Sequence, residues 1–552
     1  MPGKRILGAA LAPCVHVTGL LNFLRLAREC GHETEFLGAA VSVPEIVRAA
    51  QEYAPDMLAV GYRLTPAPAR AILAELRDAL CEAGLAGLEM AFGGTPPVAA
   101  IARESGLFAA VFSGEEDPSE VVAFLRGARG ETPAAIHPQT LLERIESRAP
   151  YPILRHHFGL PSLAETIHGA EELARAEVLD VISIGPDQNA QESFFRAAEM
   201  DPRRDGAGGV PLRREGDLAA IYEATRRGNF PMLRIYAGTR DLLRWAELAQ
   251  RTLKNAWAAV PLFWYSRLDG RSSRTLVEAI DENRRTIAWH AERGLPVEVN
   301  DPHQWSLRDA PDVIAVAAAY LSAYNAKALG VETYVAQFMW NTPPAMTPSM
   351  DLAKMLATLD LIRTLEGPAF RIVRECRAGL ASLSPDPAVA KGQLAASTML
   401  SMALKPQIIH VVAYCEADHA ATPPEIIESC RIVRGVLKNT LFGSPDYTLD
   451  ETVQRRRREL VKEAEVLLSA LWDLGKGVKD PLADPPTLAR AVRLGLLDAP
   501  HLAGNPEGRG AIRTRIVNGA CRAVDEQGEP QSEKQRLKRL GEASAAGFKR
   551  GS

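Results

Sequence analysis

Short apolar runs of strand length alternate with amphipathic helical stretches from Arg5 to about residue 414, and that rhythm confines the chain to an α/β architecture. In the first 130 residues the runs fall at 5–11, 33–37, 57–60, 88–92 and 109–112, with helical periodicity between them, as at 20–30, 43–52 and 69–83. This predicts a doubly wound, flavodoxin-like parallel sheet. From Tyr151 the spacing changes without losing the alternation. Eight further strand candidates fall at 151–158, 181–186, 231–237, 258–266, 295–300, 332–339, 369–374 and 406–414, with helical runs between them. Eight β-α units predict a (β/α)8 TIM barrel. The run at 369–374, carrying Arg371 and Arg374, is the least strand-like of them. The expected organisation is therefore a first domain over 1–130, a linker over 131–150 and a barrel over 151–445. A helical extension over 446–524 and a charged, disordered tail over 525–552 follow. Residues 206–214 read as a polar insertion. The arginine run 455–458, interspersed with glutamates further along the same helix, reads as a solvated helix face.

Composition narrows the function classes. The 552 residues carry 64 basic and 68 acidic side chains, a net charge of −4 that argues against nucleic acid as a main partner. No apolar run is long enough to span a bilayer, and no basic n-region with an apolar h-region opens the chain, so a cytoplasmic location without membrane partners is expected. The cysteines, at 14, 30, 81, 376, 415, 430 and 521, show no C-x-x-C spacing and read as reduced thiols.

Three loops at the carboxyl edge of the first sheet carry the chemistry, because ligands bind at that edge in open α/β sheets. Cys14-Val15-His16-Val17-Thr18-Gly19 follows the first strand, Gly61-Tyr62-Arg63-Leu64-Thr65 the third, and Phe92-Gly93-Gly94-Thr95 the fourth. Together they resemble the D-x-H-x-x-G, S-x-L and G-G segments of the cobalamin-binding domain of base-off corrinoid enzymes. The resemblance implies that His16 is the lower ligand of the cobalt. It also implies that Cys14, Thr18, Gly19, Tyr62, Leu64, Thr65, Gly93, Gly94 and Thr95 contact the cofactor. The family's aspartate is Cys14 here, and its serine is Tyr62. The aspartate orients the histidine and raises its basicity, so its loss predicts weaker ligation. Cys14 itself reads as a small packed residue.

In a barrel of this kind the site lies on the loops after the strands. Those loops are consistently polar: Arg155-His156-His157, Asp187-Gln188-Asn189 with Gln191, Arg234-Ile235-Tyr236, Tyr265 with Arg267 and Asp269, Asn300-Asp301 with His303 and Gln304, Trp340-Asn341, and Glu416 with Asp418 and His419. His303 and His419, taken with Asp301 and Glu416, lack the spacing of a compact metal motif. A pyridoxal phosphate aminomutase is discounted, because Lys4 is the one lysine of the first domain and stands badly placed at its first strand.

The barrel sequence resembles the catalytic subunit of glutamate mutase (methylaspartate mutase), best at Asn300-Asp301-Pro302, residues 415–422, 474–477 and 504–525. The resemblance implies an adenosylcobalamin-dependent isomerase with cobalamin between the first domain and the barrel mouth. The family clamps its dicarboxylate substrate with three arginines, and His157, Gln191 and Tyr236 stand at those positions. Glu416 falls on the family's glutamate near the adenosine ribose, while its lysine there falls on Val412. Its substrate-side glutamate and tyrosines fall near Ala256, Leu262 and Ser266. The expected catalytic residues are Glu416, His157, Gln191, Tyr236 and Asp301, with Arg234, Arg267, Asn300 and His303 on the substrate. A substrate other than glutamate, with at most one carboxylate, and a homodimer are expected. The alternatives are a corrinoid carrier, sensor or chaperone without mutase activity, or a corrinoid methyltransferase.

Overall fold

The computed structural model describes residues 3–114, 116, 118–127, 137–441 and 443–549. The chain forms two compact units, Met1–Ile136 and His137–Ser552. Residues 128–136, which include the first six of the expected linker, lie outside the described residues, as do the last three of the expected tail.

In the first unit, strands β1 (Arg5–Leu11), β2 (Glu33–Val41), β3 (Met57–Tyr62), β4 (Glu89–Gly94) and β5 (Ala110–Phe112) form one parallel sheet in the order β2-β1-β3-β4-β5. That is the flavodoxin-like order, whose switch point lies between β1 and β3. Alternation along the strands sorts the two faces. Leu7, Ala9, Leu11, Leu58, Val60, Tyr62 and Phe92 meet helices Val43–Tyr53, Pro66–Glu82 and Pro96–Ser105 in one apolar core. The other face is built from small residues, among them Gly8 and Gly61, and is covered by helix Thr18–Glu29 through Leu20 and Leu24.

The second unit holds the eight expected strands: β6 (Ile153–Phe158), β7 (Val181–Ile184), β8 (Met232–Ile235), β9 (Ala258–Val260), β10 (Val297–Val299), β11 (Thr333–Trp340), β12 (Arg371–Ala378) and β13 (Ile408–His410). They pair in parallel in the order β8-β7-β6-β13-β12-β11-β10-β9. A single parallel bridge, Tyr236 to Ala259, joins the two ends and nearly closes the barrel. Helix Leu141–Arg148, inside the expected linker, belongs to this unit. Its Leu141 packs on strand residues Ile153, Val181, Met232, Val335, Val373 and Ile408 and seals the lower end.

Four details differ from the sequence reading. Strand β9 stops at Val260 rather than near 266, because Asp301 accepts the amides of Leu262 and Phe263 and turns the chain there. Strand β12 begins at Arg371 and runs to Ala378, four residues beyond the expected end, because Glu375 is neutralised inside the barrel. Within helix Glu451–Leu474 the arginine run is not simply solvated: Arg456 is buried against Asp312 at 3.0 Å, and Arg457 forks onto Asp360. The charged tail includes a helix, Glu533–Lys549, pinned where Arg536 donates to the carbonyls of Gly495 and Leu496. The extension also contains an antiparallel hairpin, β14 (Arg513–Val517) with β15 (Ala520–Val524).

Candidate functional site

At the carboxyl edge of the first sheet, the loop after β1 exposes His16 beside Val15, and the loop after β3 exposes Leu64. Cys14 is fully buried, with its Sγ 3.8 Å from His16 Nδ1 and accepting the Arg63 amide at 3.3 Å. The thiol thus touches the histidine from behind and leaves Nε2 for a metal. Thr18 and Gly19 open helix Thr18–Glu29 at the surface. Thr65 and Thr95 stand at the N-termini of helices Pro66–Glu82 and Pro96–Ser105, with no hydroxyl-to-amide capping bond.

The two glycines after β4 have different reasons to be glycine. A Cβ on Gly94 would meet the Tyr62 carbonyl at 2.7 Å, so the strands approach too closely for any side chain. A Cβ on Gly93 would meet nothing within 4 Å. Gly93 pairs with Gly61, which faces Leu20, so this open space lies on the small-residue face. Tyr62 is 1% exposed and packs into the core on the opposite face, clear of that space.

In the barrel, alternate residues of β6 point inward: Ile153, then Arg155, then His157. Arg155, Arg234, Glu298 and Glu375, from the alternate strands β6, β8, β10 and β12, build a fully buried layer of two cations and two anions. Barrel layers draw on alternate strands in this way, but branched aliphatic side chains usually fill them. Arg155 donates to Glu375 from Nε at 3.0 Å and Nη2 at 2.5 Å, and Arg234 Nη2 to Glu298 at 2.5 Å. Gln337 joins the pairs, donating to Glu298 at 3.1 Å and Glu375 at 2.9 Å.

Above this layer the mouth gathers His157, Tyr236, His303, Arg377 and His410. The Tyr236 hydroxyl lies 2.9 Å from His157 Nδ1, and the two rings stack at 4.9 Å. The His410 ring is 4.5 Å from that of His157. Arg155 Nη1 is 3.0 Å from His157 Nε2. A guanidinium only donates, so Nε2 accepts from Arg155 and Nδ1 carries the proton, while the Tyr236 hydroxyl lies 2.9 Å from both nitrogens. Burial holds the Tyr236 hydroxyl above its ordinary value, hence un-ionised. Burial, with Arg155 and Arg377 nearby, holds His157 and His410 well below theirs, so both are neutral. Arg377 shares this field with Tyr236, His303 and Glu416. Its Nε donates to the Ala378 carbonyl at 3.2 Å, and among the described residues it forms no ion pair.

The sequence-selected residues divide by environment. His157 and Tyr236 line the mouth together. His303 is 8% exposed, its Nδ1 lacks a partner, and burial lowers it to about 3. The Asn300 carbonyl oxygen is also unpartnered. Glu416 accepts from His156 Nε2 at 2.9 Å and the Ala413 amide at 2.7 Å. Burial is the largest single influence and opposes its charge, but the His156 bond and charge, the Ala413 amide and Arg377 together lower the carboxyl. Asp301 is buried with both oxygens on backbone amides, and burial nevertheless pushes it up to about 7. Arg234 is locked on Glu298, and Gln191 donates to the Pro186 carbonyl. Arg267 is exposed and donates to the Ser273 carbonyl, outside the cluster. Sequence reasoning missed Arg377, His410, Glu298, Gln337 and Glu375.

The buried imidazoles make stability pH-dependent. Burial lowers His290 to about 4 and His303 to about 3, below the ordinary 6.5. The folded protein therefore binds fewer protons than the unfolded chain between these values. This contribution is full above about pH 6.5 and is lost on acidification at about 1.4 kcal/mol per pH unit for each group. Urea midpoints should fall from about pH 7 to about pH 5, and less so in His290→Phe; equal slopes in both proteins would contradict this.

Residues 4–123 match the family model of the B12 binding domain. The chain carries a B12-binding domain. Among solved structures, the chain is similar to a novel cobalamin-binding protein from Desulfitobacterium hafniense DCB-2, at 25% identity over 22% of this chain and 57% of that one, with a TM-score of 0.20. It is also similar to the apo form of the cobalamin-dependent S-adenosylmethionine radical enzyme OxsB, at 11% identity over 100% of this chain and 81% of that one, with a TM-score of 0.19. The chain thus spans little more than half the length of the first. No curated protein matches.

The residues of the B12-binding domain fit the cofactor. Exposed Val15 beside His16 and exposed Leu64 on the loop after β3 offer apolar surface, and the space over Gly93 is a cradle that a side chain would fill. Cobalamin binding is the function that this domain supports. Among the described residues, no helix is long and apolar enough to cross a membrane.

Proposed function

We propose that the chain is an adenosylcobalamin-dependent isomerase of the glutamate mutase type, acting on a substrate that bears one carboxylate and is not glutamate. The observation that carries this reading is Arg377, an arginine at the barrel mouth with no ion-pair partner among the described residues, set among neutral His157, His303 and His410. A guanidinium suits bidentate recognition of a carboxylate. When bound, adenosylcobalamin supplies the radical that starts the rearrangement. The barrel residues bind and shield. Arg377 anchors the carboxylate, and the un-ionised Tyr236 hydroxyl, oriented by His157, donates its hydrogen to a second substrate oxygen. His16 would hold the cobalt. Glu416, fixed by His156, falls on the glutamate mutase residue that the family places near the adenosine ribose.

A dicarboxylate would bring one more charge than Arg377 can pair, and an unpaired buried carboxylate costs several kcal/mol. With adenosylcobalamin, glutamate and 3-methylaspartate should therefore show no carbon-skeleton exchange by proton NMR, whereas single-carboxylate amino and hydroxy acids are the compounds to screen. Turnover of glutamate at ordinary mutase rates would contradict the substrate assignment. A hit should lose on the order of 100-fold in kcat/KM in Arg377→Ala, the expected cost of losing one buried charge-assisted pair.

A further inference from the structure

The loop after β13 carries a constellation that the barrel mouth does not use. Cys415, His419 and Glu425 each present one ligand atom, all within 4.8 Å of one another. Cys415 lies on the turn Tyr414–Ala417 and is 6% exposed, while Glu425 opens helix Pro423–Leu441. Two of the three side chains are held from behind. Asp418 engages His419 Nδ1 at 2.8 Å, which aims Nε2 at Glu425 Oε1, 2.8 Å away. Thr422 donates its amide and hydroxyl to Glu425 Oε2 at 2.9 and 2.7 Å, leaving Oε1 for the cluster. A carboxylate behind an imidazole fixes the tautomer and orientation of a metal-binding histidine.

We propose that Cys415, His419 and Glu425 form a zinc-class divalent metal site on the barrel rim. One sulfur, one nitrogen and one oxygen donor select a borderline ion such as Zn²⁺ over Mg²⁺ or Ca²⁺, which prefer all-oxygen shells. Water fills the fourth position. On binding, Cys415 Sγ and His419 Nε2 each lose a proton to solvent, and the ion replaces the His419–Glu425 hydrogen bond. The site's role is positional: Glu416, next to Cys415, reaches His156 from this loop, and a metal would clamp the loop that presents it.

The test uses the full chain, free of cobalamin and stripped with a chelator, with Co²⁺ as the probe. A tetrahedral site with a thiolate ligand gives an intense thiolate-to-cobalt absorption in the near ultraviolet. This band should saturate at about one Co²⁺ per chain and bleach when Zn²⁺ is added. Cys415→Ser should abolish it, and Glu425→Gln should weaken Co²⁺ binding at least about tenfold, as expected when one of three ligands is lost. Absence of the band in the unsubstituted chain, or its survival in Cys415→Ser, would overturn the site. If Cys415→Ser fails to fold, alkylation of Cys415 in the unsubstituted chain decides. Zn²⁺ should protect it at least tenfold, and unchanged alkylation would show that these residues only cap the helix.

Discussion

Replacing Glu375 by alanine should destabilise the barrel by about 3–5 kcal/mol, the cost of leaving a buried charge without its partner. Glu375 Oε1 takes two donors from Arg155 and one from Gln337, and Arg155 is 0% exposed. In Glu375→Ala the guanidinium keeps its charge and loses its counterion in a site without water access. Removing both charges in Arg155→Met/Glu375→Leu should cost less than the single change, because no unpaired ion remains. Urea denaturation of the three variants measures this. A double variant less stable than Glu375→Ala would mean that the ion pair contributes more than its own desolvation costs. The pair also sets the mouth: Arg155 reaches His157 Nε2, so the double variant should free the imidazole that orients Tyr236.

Gly93→Val should weaken cobalamin uptake by about 10- to 100-fold, the range expected when overpacking costs about 1–3 kcal/mol. A Cβ at Gly93 would meet no atom within 4 Å beyond its chain neighbours, and the position has an ordinary backbone angle, so the apo protein should keep its stability. Gly94→Ala is the contrasting change. Its Cβ would press on the Tyr62 carbonyl at 2.7 Å, and stability should fall before binding is considered. Equal cobalamin affinity in the parent and Gly93→Val would show that the space over Gly93 receives no part of the cofactor.

The eight-strand count and the first sheet were legible because strand-length apolar runs are the strongest signal a buried parallel sheet leaves. The residues inside the barrel were not. Glu298, Gln337 and Glu375 look like surface residues in a sequence, and only the barrel brings each to its neutralising partner. The same effect hid Arg377. Charges at 371, 374, 375 and 377 make β12 read as a poor strand, yet it runs in full register with the eight residues of β11. Matching its length to β11 would have placed Arg377 at the mouth. Parity alone would have placed Tyr62 in the core rather than against the cofactor, since Leu58, Val60 and Tyr62 share one face of β3 and Gly61 the other. Arg267 was misjudged in the other direction: its loop turns early under Asp301, and its side chain faces outward.

His16 would hold the cobalt of a bound cobalamin, and Cys14 in place of a carboxylate behind it predicts a weak, easily lost bond. The most direct measurement is the electron paramagnetic resonance of bound cob(II)alamin in protein labelled with ¹⁵N-histidine. Coordination by His16 should turn the nitrogen splitting of each cobalt line from a triplet into a doublet, and His16→Ala should remove the doublet. A triplet that persists in the labelled protein would mean that the cofactor keeps its own base, and that His16 is only a loop residue.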